Sequence, residues 1–462
     1  MSQPQLLRRL GVFSATAIVV SNMIGTAIFT ATGFLAGDLG SPRLVVAIWF
    51  AGAALALAGA LCYSELGINA PESGGEYIYL TEAWGPLWGF LSGWVSFFAG
   101  FSAPIAAASL ALVEYLSYFF PTLGAGQTGA PLDARLLACG VVLLFTLLNV
   151  TGIQPAARAQ NVLTSIKILV LIAFLFLGVL AGSGDWGHFA QPAARSSTQA
   201  LPVQFLLSLV WVFYAYSGWN AATYVAGEIR EPERVLPRSL LAGTILVAAI
   251  YALLNVVFIY AAPLESMKGV LGVGAHAARG LFGPAVAGLF AGLMAFSLLS
   301  TVNAMTMIGP RVYYAMAARG AFFAAARTVH PRWHTPWIAI LAQGACTCLL
   351  LLVSAFQTLA QYIGFSLWLF TALTVAGLFR LRRRPGWKPL PAANFLFPLI
   401  PGAYIAAAVW VLGYFVVLRP RESGYGLLTI VCGALAWWLR KPLTTPLASA
   451  RRNPETPPPG SE

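Results

Sequence analysis

Twelve apolar segments, separated by short polar connections, follow one another along the chain. A run of about 20 apolar residues is long enough to cross the hydrocarbon core of a bilayer as a helix. The segments lie near residues 12 to 36, 43 to 66, 84 to 118, 133 to 151, 161 to 182, 203 to 228, 239 to 262, 283 to 318, 336 to 354, 359 to 379, 395 to 418 and 424 to 440. This pattern predicts an all-α polytopic membrane protein with 12 transmembrane helices.

The composition agrees with a chain embedded in a lipid bilayer. Of its 462 residues, 59% are hydrophobic and 9% are charged, whereas about a quarter of an average soluble domain is charged. The connections are too short for a separate catalytic domain, so we expect residues 1 to 440 to form a single transmembrane domain. The proline-rich tail, residues 441 to 462, is expected to be disordered.

The formal net charge of +12 raises the question of a nucleic-acid partner. Most of the 27 Lys and Arg residues fall in connections on one side of the predicted helices, among them Arg8, Arg9 and the run 382 to 384. Positive residues collect on the cytoplasmic side of membrane proteins. The distribution therefore explains the charge without nucleic acid, and it predicts cytoplasmic termini in a cell (inner) membrane.

Two predicted helices carry small and polar residues at their centres. In the first helix the interruption consists of Met23, Ile24, Gly25, Thr26 and Ala27. In the sixth helix it consists of Ser217, Gly218 and Asn220, preceded by Tyr214. Non-helical backbone at membrane depth is tolerated only where it is buried in protein or lines a cavity. Two such breaks at corresponding places in two halves of a chain indicate the substrate site of a secondary transporter.

The two breaks are five spans apart, and an odd number of spans inverts the second copy of a repeat. We therefore predict one repeat over about 12 to 182, a second over about 203 to 379, and two extra helices over about 395 to 440. The half-helix that begins near Thr26 would direct its amides at an anion. The carbonyls that end the preceding half-helix suit an ammonium, so a zwitterion matches both. For Gly25 alone, the alternative is close helix packing.

Three side chains near the breaks have open assignments. Tyr214 either closes over a bound solute or simply packs, and Asn220 can hydrogen-bond a substrate or a freed carbonyl. Lys167 lies in the fifth apolar segment with no acidic residue in the same span, where an ammonium is costly. It either donates to carbonyls of the first break in place of a bound cation, or sheds a proton, or snorkels to the inner surface.

Neither break contains a carboxylate, and this absence favours neutral substrates over cationic ones. Pro331 and Pro336 break any helix that would align His330 with His334, and no Cys or carboxylate lies close by, so we expect no metal and no cofactor. The five cysteines all fall in predicted spans and imply no disulfide. No hydrolase or nucleotide-binding motif occurs, so the chain is not expected to be an enzyme, and two isolated breaks differ from the continuous polar lining of a channel.

Several ordered motifs between about residue 8 and residue 440 resemble those of the amino acid-polyamine-organocation transporter superfamily. Within it, the chain is most similar to bacterial L-type amino acid transporters. The motifs are MIGTAIF at 23 to 29, PESGGEYIYL at 71 to 80, Lys167, AYSGWN at 215 to 220, EIREPERVLP at 228 to 237, and PRVYYAMAARG at 310 to 320 with HTP at 334 to 336.

The resemblance implies a leucine-transporter-type fold with an inverted repeat of five plus five helices, in which helices 1 and 6 are broken. It implies that amides around Gly25, Thr26 and Ala27 bind the substrate carboxylate. The carbonyls of Met23, Tyr214 and Ser217 would bind its amino group. The resemblance also makes Tyr214 an outer gate and Asn220 a link between the sixth helix and its neighbours.

The resemblance further implies that Lys167 stands where sodium-driven carriers hold an ion, so transport is expected to be sodium-independent. Ala27 replaces a usual glycine, and Ser217 stands at a usually small position; both would favour small substrates. Residues 119 to 132 contain no cysteine, so no disulfide-linked heavy subunit is expected. The predicted function is exchange or proton-coupled transport of neutral L-amino acids. A broader amino acid or polyamine permease is the alternative, and a membrane enzyme or a channel would be a different class.

Overall fold

The computed structural model describes residues 6–124, 130–270, 272–353, 356–418 and 420–439. Within these ranges the regular secondary structure is helical apart from one isolated β-bridge between Leu10 and Ile229. The α-helices are α1 (Val12–Met23), α2 (Ala27–Leu39), α3 (Pro42–Asn69), α4 (Glu76–Trp84), α5 (Pro86–Val95), α6 (Ala103–Leu116), α7 (Leu132–Val150), α8 (Ile153–Ala181), α9 (Leu201–Tyr216), α10 (Pro232–Ala261), α11 (Leu264–Met267), α12 (Val273–Phe282), α13 (Ala285–Ala318), α14 (Trp337–Val353), α15 (Phe356–Leu381), α16 (Pro391–Asn394), α17 (Leu399–Leu418) and α18 (Pro420–Leu439).

Every predicted apolar segment overlaps largely with one of these helices or with a pair of them. Among the described residues, eight helices are long and apolar enough to cross a membrane, or nine when α1 and α2 count as one bent span. Three shorter apolar helices, Trp337–Val353, Phe365–Leu381 and Ser423–Leu439, accompany them. The prediction of an all-helical, polytopic membrane protein is confirmed.

Apolar side chains cover the outside of the bundle, and polar side chains lie within it. Leu180 and Val417 are 79% and 74% exposed, an arrangement that suits lipid rather than water. Inside, the Asn303 amide donates to the Gln160 side chain, and the hydroxyls of Ser21 and Thr164 form a hydrogen bond. Such pairs satisfy polar groups that lipid would leave without partners.

The helices around the first break determine what it contacts. The long helix α10 packs along both α1 and α3, whereas α13 packs against α6 and α8. The other half of the broken span, α2, packs against α9. Both interrupted spans are therefore enclosed by neighbouring helices, which is the condition under which loosened backbone is stable at membrane depth.

The fifth predicted span begins earlier than its apolar run. The run was expected from about residue 161, but α8 begins at Ile153, directly after Gly152 with φ 135°. The first turns are polar on one side, where Gln160 is fully buried among other polar groups. Lys167 consequently lies near the middle of a 29-residue helix and not a few residues from its start.

Candidate functional site

The first break bends the span by 41° between Met23 and Ala27. The Gly25 amide donates to the Met23 carbonyl at 3.0 Å, which makes a tight turn between α1 and α2. A Cβ atom at Gly25 would meet no heavy atom within 4 Å, so close helix packing does not explain this glycine. Because α2 has no side-chain cap and the first amides of a helix lack acceptors within it, the break presents donors beside open space.

Side chains from three neighbouring helices hold the freed carbonyls of this break. The Tyr251 hydroxyl, on α10, donates to the Met23 carbonyl at 2.6 Å and lies 3.1 Å from the Ala215 carbonyl of α9. The Ile24 carbonyl accepts hydrogen bonds from Lys167 Nζ at 2.9 Å and from Thr301 Oγ1 at 3.2 Å. The Met23 carbonyl, which was expected to bind a substrate ammonium, thus already has a strong protein donor.

Lys167 is only 2% exposed, and its ammonium also lies 3.2 Å from Thr301 Oγ1. The side chain reaches from the middle of α8 to the first break, so it does not snorkel to a surface. Among the described residues it has no carboxylate within ion-pair distance. Its charge is therefore directed at backbone and hydroxyl oxygens, the ligands that a hard cation would take.

The second break follows α9. Ser217 has an extended backbone, and its amide and hydroxyl both donate to the Tyr214 carbonyl, at 3.2 and 2.7 Å. Gly218 has φ +99°, and a Cβ there would lie 2.8 Å from the carbonyl carbon and oxygen of Asn22. Glycine is required at residue 218 because the backbone is left-handed and because the two breaks touch at this point. A 3-10 helix, Ala221–Glu228, then continues the span.

A cavity of about 110 Å³ lies beside the second break. Four predicted site residues line it: Tyr214, Ser217, Gly218 and Asn220. The remaining walls come from the end of α1, from α4, α5 and the π-helical turn Ser96–Ser102, from α6, α13 and α15, and from the 3-10 helix Ala221–Glu228. The lining residues that were not predicted include Asn22, Glu76, Ser92, Ser96, Phe101, Tyr224, Met305, Ile308, Ser366 and Phe370. Residues 23–27 of the first break do not line this cavity in the described structure, although Asn22 does.

The expectation that no carboxylate accompanies the breaks is wrong. Glu76 lines the cavity and is 4% exposed. Its Oε1 accepts hydrogen bonds from the Tyr63 hydroxyl and the Asn220 amide, both at 2.8 Å, and its Oε2 accepts one from the Tyr224 hydroxyl at 2.8 Å. Asn220 therefore ties the second break to Glu76 in the way a linking residue would.

The loop before α4 brings Glu76 to the second break. Gly74 and Gly75 have φ values of +126° and +52°, so the chain reverses there at little conformational cost. The Gly74 amide donates to the Tyr224 carbonyl at 3.1 Å, and the Gly227 amide donates to Ser73 Oγ at 3.0 Å. The sequence signal for this site was the pair of consecutive glycines directly before an acidic residue.

The end of the 3-10 helix is closed by a buried ion pair. Glu228 Oε2 lies 2.7 Å from Arg311 Nε, and both side chains are fully buried. The Glu228 carbonyl also accepts the amides of Arg9 and Leu10 at 2.8 and 2.9 Å, which fixes the segment before α1 to the end of the second broken span. Glu65 similarly pairs with Arg382 at 2.6 Å.

Comparisons with known proteins agree with this arrangement. Residues 10–426 match the family model for amino acid permeases. The chain is 31% identical over 442 residues to the large neutral amino acids transporter small subunit 2 of Oryctolagus cuniculus, with 94% of this chain and 80% of that protein covered. The Asc-type amino acid transporter 1 of Homo sapiens is 29% identical over 445 residues, with 94% and 82% covered.

A bacterial relative is similar over nearly its whole length. The serine/threonine exchanger SteT of Bacillus subtilis (strain 168) is 27% identical over 435 residues, with 93% of this chain and 95% of that protein covered. These relatives are named as transporters, in agreement with the expectation that the chain is not an enzyme. The chain belongs to the amino acid permease family of the amino acid-polyamine-organocation superfamily, and it is a multi-span membrane transporter of amino acids.

Proposed function

We propose that this protein carries neutral L-amino acids across the cell inner membrane by alternating access, without sodium, by amino acid exchange or proton coupling. The observation that carries the proposal is the contact between the two breaks at Asn22 and Gly218, beside a cavity and next to a buried lysine that donates to the Ile24 carbonyl. Paired broken spans around a polar pocket are the arrangement of secondary transporters.

In this proposal the breaks bind the two ends of the amino acid. The amides of Gly25, Thr26 and Ala27 take the carboxylate, because α2 starts uncapped beside open space. The ammonium is assigned to the carbonyls at the second break, Tyr214 and Ser217. The Met23 carbonyl is the third group assigned to the ammonium; like the Tyr214 carbonyl, it also accepts a hydrogen bond within the protein, here from the Tyr251 hydroxyl. Tyr214, which lines the cavity, is assigned the gate.

Lys167 supports the sodium-independent part of the proposal. A sodium ion at the first break would need carbonyl and hydroxyl oxygens such as those of Ile24 and Thr301. The Lys167 ammonium already occupies that position, at 2.9 and 3.2 Å from them. A second cation there would meet like charge in a poorly solvated site.

We further propose the complete architecture. Nine apolar spans and the three shorter apolar helices together make 12 transmembrane helices, arranged as an inverted repeat over about 12 to 182 and 203 to 379 with two extra helices over about 395 to 440. Both termini are assigned to the cytoplasm from the distribution of Lys and Arg. The absence of cysteine from residues 119 to 132 supports a carrier without a disulfide-linked heavy subunit.

Glu76 affects the choice of substrate in two ways. As a carboxylate beside the cavity it disfavours acidic side chains by like-charge repulsion. Because Tyr63, Asn220 and Tyr224 already donate to it, it does not require a cationic guest for compensation. Neutral side chains therefore fit best, in keeping with the named substrates of the relatives.

The same carboxylate favours one second candidate, a permease for cationic amino acids or polyamines. Among the described residues no Lys or Arg is paired with Glu76, so an incoming cation would be the first positive partner of this carboxylate. The two functions differ in how uptake responds when the negative charge of Glu76 is removed by substitution.

Proteoliposomes containing the purified protein separate the two candidates. We expect uptake of labelled neutral L-amino acids in choline medium, with L-lysine and putrescine at the background of protein-free liposomes. Two results together would establish the second candidate instead. The wild type would carry lysine or putrescine but no neutral substrate, and the Glu76→Gln variant would lose the uptake of lysine or putrescine.

A further inference from the structure

Two serine hydroxyls in the cavity wall have no hydrogen-bond partner. Ser92 on α5 and Ser366 on α15 both line the cavity, are each 1% exposed, and have side-chain oxygens without a partner among the described residues. A buried hydroxyl without a partner costs free energy. A solute that supplies the missing hydrogen bonds recovers that cost, and one that does not leaves it in place.

Helical hydroxyls elsewhere in this protein satisfy themselves on their own backbone. Ser64 donates to the Ala60 carbonyl at 2.6 Å, and Thr306 donates to the Val302 carbonyl at 2.8 Å. This i to i−4 bond is the usual solution for a serine or threonine within a helix. Ser92 and Ser366 form no such bond, so their hydroxyls remain available to a molecule in the cavity.

Four other polar side chains of the cavity wall are already engaged. The Asn220 amide and the Tyr224 hydroxyl donate to Glu76, the Ser217 hydroxyl donates to the Tyr214 carbonyl, and the Asn22 amide donates to the Ile18 carbonyl at 2.8 Å. Glu76 has used three of about four acceptor positions that a carboxylate offers. The unmet groups of the wall thus include the two serine hydroxyls and one acceptor position of Glu76.

We propose that Ser92 and Ser366, with Glu76 in the wall of the same cavity, form the side-chain subsite of the cavity and select short neutral amino acids that carry a hydroxyl. This inference rests on the proposed function, since it assumes that the breaks bind the amino and carboxylate groups. The hydroxyl of a substrate side chain can donate one hydrogen bond, to the free acceptor position of Glu76. It can also accept hydrogen bonds from the Ser92 and Ser366 hydroxyls, so it matches the unmet groups. A site built to bond a hydroxyl rejects the isostere that lacks one, because its own polar groups are then left unpaired.

The test compares isosteric substrates in proteoliposomes. L-threonine and L-valine have nearly the same shape and differ in one hydroxyl, so the ratio of their uptake efficiencies reports the subsite directly. We expect the wild type to prefer threonine by at least about tenfold, the value of one well-formed hydrogen bond. In the Ser92→Ala/Ser366→Ala double variant we expect the ratio to approach one, through a higher KM for threonine with valine uptake retained.

Ser109→Ala is the matched control. Ser109 is also fully buried with an unpaired hydroxyl, but it does not line the cavity, so its loss should leave the ratio unchanged. Removing an unpaired buried hydroxyl, as Ser→Ala does, costs little, so the variants should fold. If the double variant does not fold, the single variants Ser92→Ala and Ser366→Ala give the same comparison.

The outcomes separate this inference from the proposed function. Transport with a threonine to valine ratio near one in the wild type means that the two hydroxyls contact only water, and it overturns the subsite. The subsite is also overturned if the Ser92 and Ser366 variants leave the threonine to valine ratio unchanged, or if Ser109→Ala lowers that ratio as much as they do. Absence of uptake for every amino acid instead contradicts the proposed function itself.

Discussion

At the scale of single residues, the proposed role of Lys167 is to take the place of a bound cation. The cost of burying an ammonium is offset by the Ile24 carbonyl and the Thr301 hydroxyl, which lie 2.9 and 3.2 Å from its Nζ atom. Thr301 also lies 3.1 Å from the Ser21 carbonyl. The lysine therefore holds the end of α1 to α13 without blocking the open side of Gly25.

Replacing Lys167 by Ala should leave the protein inserted and monodisperse but lower amino acid uptake by at least about tenfold. The reason is that the Ile24 carbonyl loses its charged donor, so the first break is no longer held in position. Uptake by vesicles matched for protein content measures the effect. Lys388→Ala is the control, because Lys388 has a 64% exposed side chain paired with Glu233; equal rates in wild type and Lys167→Ala would refute this role.

Two charged side chains near the breaks differ in how visible they were in the sequence. Lys167 was conspicuous because a charge inside an apolar run is rare, and its position became clear once α8 was seen to begin at Ile153. Glu76 was missed because an acidic residue in a polar connection is ordinary. Its burial depends on the reversal at Gly74 and Gly75, and which helix end such a turn contacts is a tertiary property.

At the scale of elements, the two breaks require their glycines for different reasons. Gly218 has a left-handed backbone and abuts Asn22, whereas Gly25 faces open space. The sequence located both interruptions, since small and polar residues stand out in an apolar span. It did not show which glycine is structural, because that depends on the distance between two helices far apart in the chain.

Gly218→Ala and Gly25→Ala should therefore separate folding from transport. Gly218→Ala is expected to cost about 1–3 kcal/mol in backbone strain, with a further penalty for the contact at 2.8 Å. Gly25→Ala should keep the wild-type unfolding temperature but reduce uptake, because its methyl group enters the space assigned to the substrate carboxylate. Thermal unfolding in detergent, followed by size-exclusion chromatography, gives the first quantity. A Gly218→Ala protein as stable as the wild type would contradict the close contact.

At the scale of the whole molecule, contacts between elements join the two broken spans to their neighbours on both sides of the breaks. On one side, α2 and α9 meet through the stacked rings of Phe34 and Trp211, 4.4 Å apart, and through Ser208 bonded to Asp38 at 3.0 Å. On the other, Arg311 and Glu228 form the buried pair at the end of the 3-10 helix. The alternating access that we propose would require these two sets of contacts to open one at a time.

The pattern of apolar segments predicted the helical membrane architecture well, because hydrophobic length alone largely decides where helices cross lipid. It could not predict the 41° bend at the first break or the cavity walls from α5 and α15. Ser92 and Ser366 are ordinary residues in apolar helices, and only the three-dimensional arrangement brings their unpaired hydroxyls to one cavity.

The central claim is sodium-independent carriage of neutral amino acids, and counterflow in proteoliposomes tests it most directly. Vesicles with and without internal unlabelled L-threonine are given labelled L-threonine outside, in sodium and in choline medium, with and without an inward proton gradient. We predict uptake of labelled L-threonine that is well above that of protein-free vesicles and equal in sodium and choline medium. Internal unlabelled L-threonine or the inward proton gradient should raise this uptake. Uptake that strictly requires sodium, or no uptake of any neutral amino acid, would contradict the account.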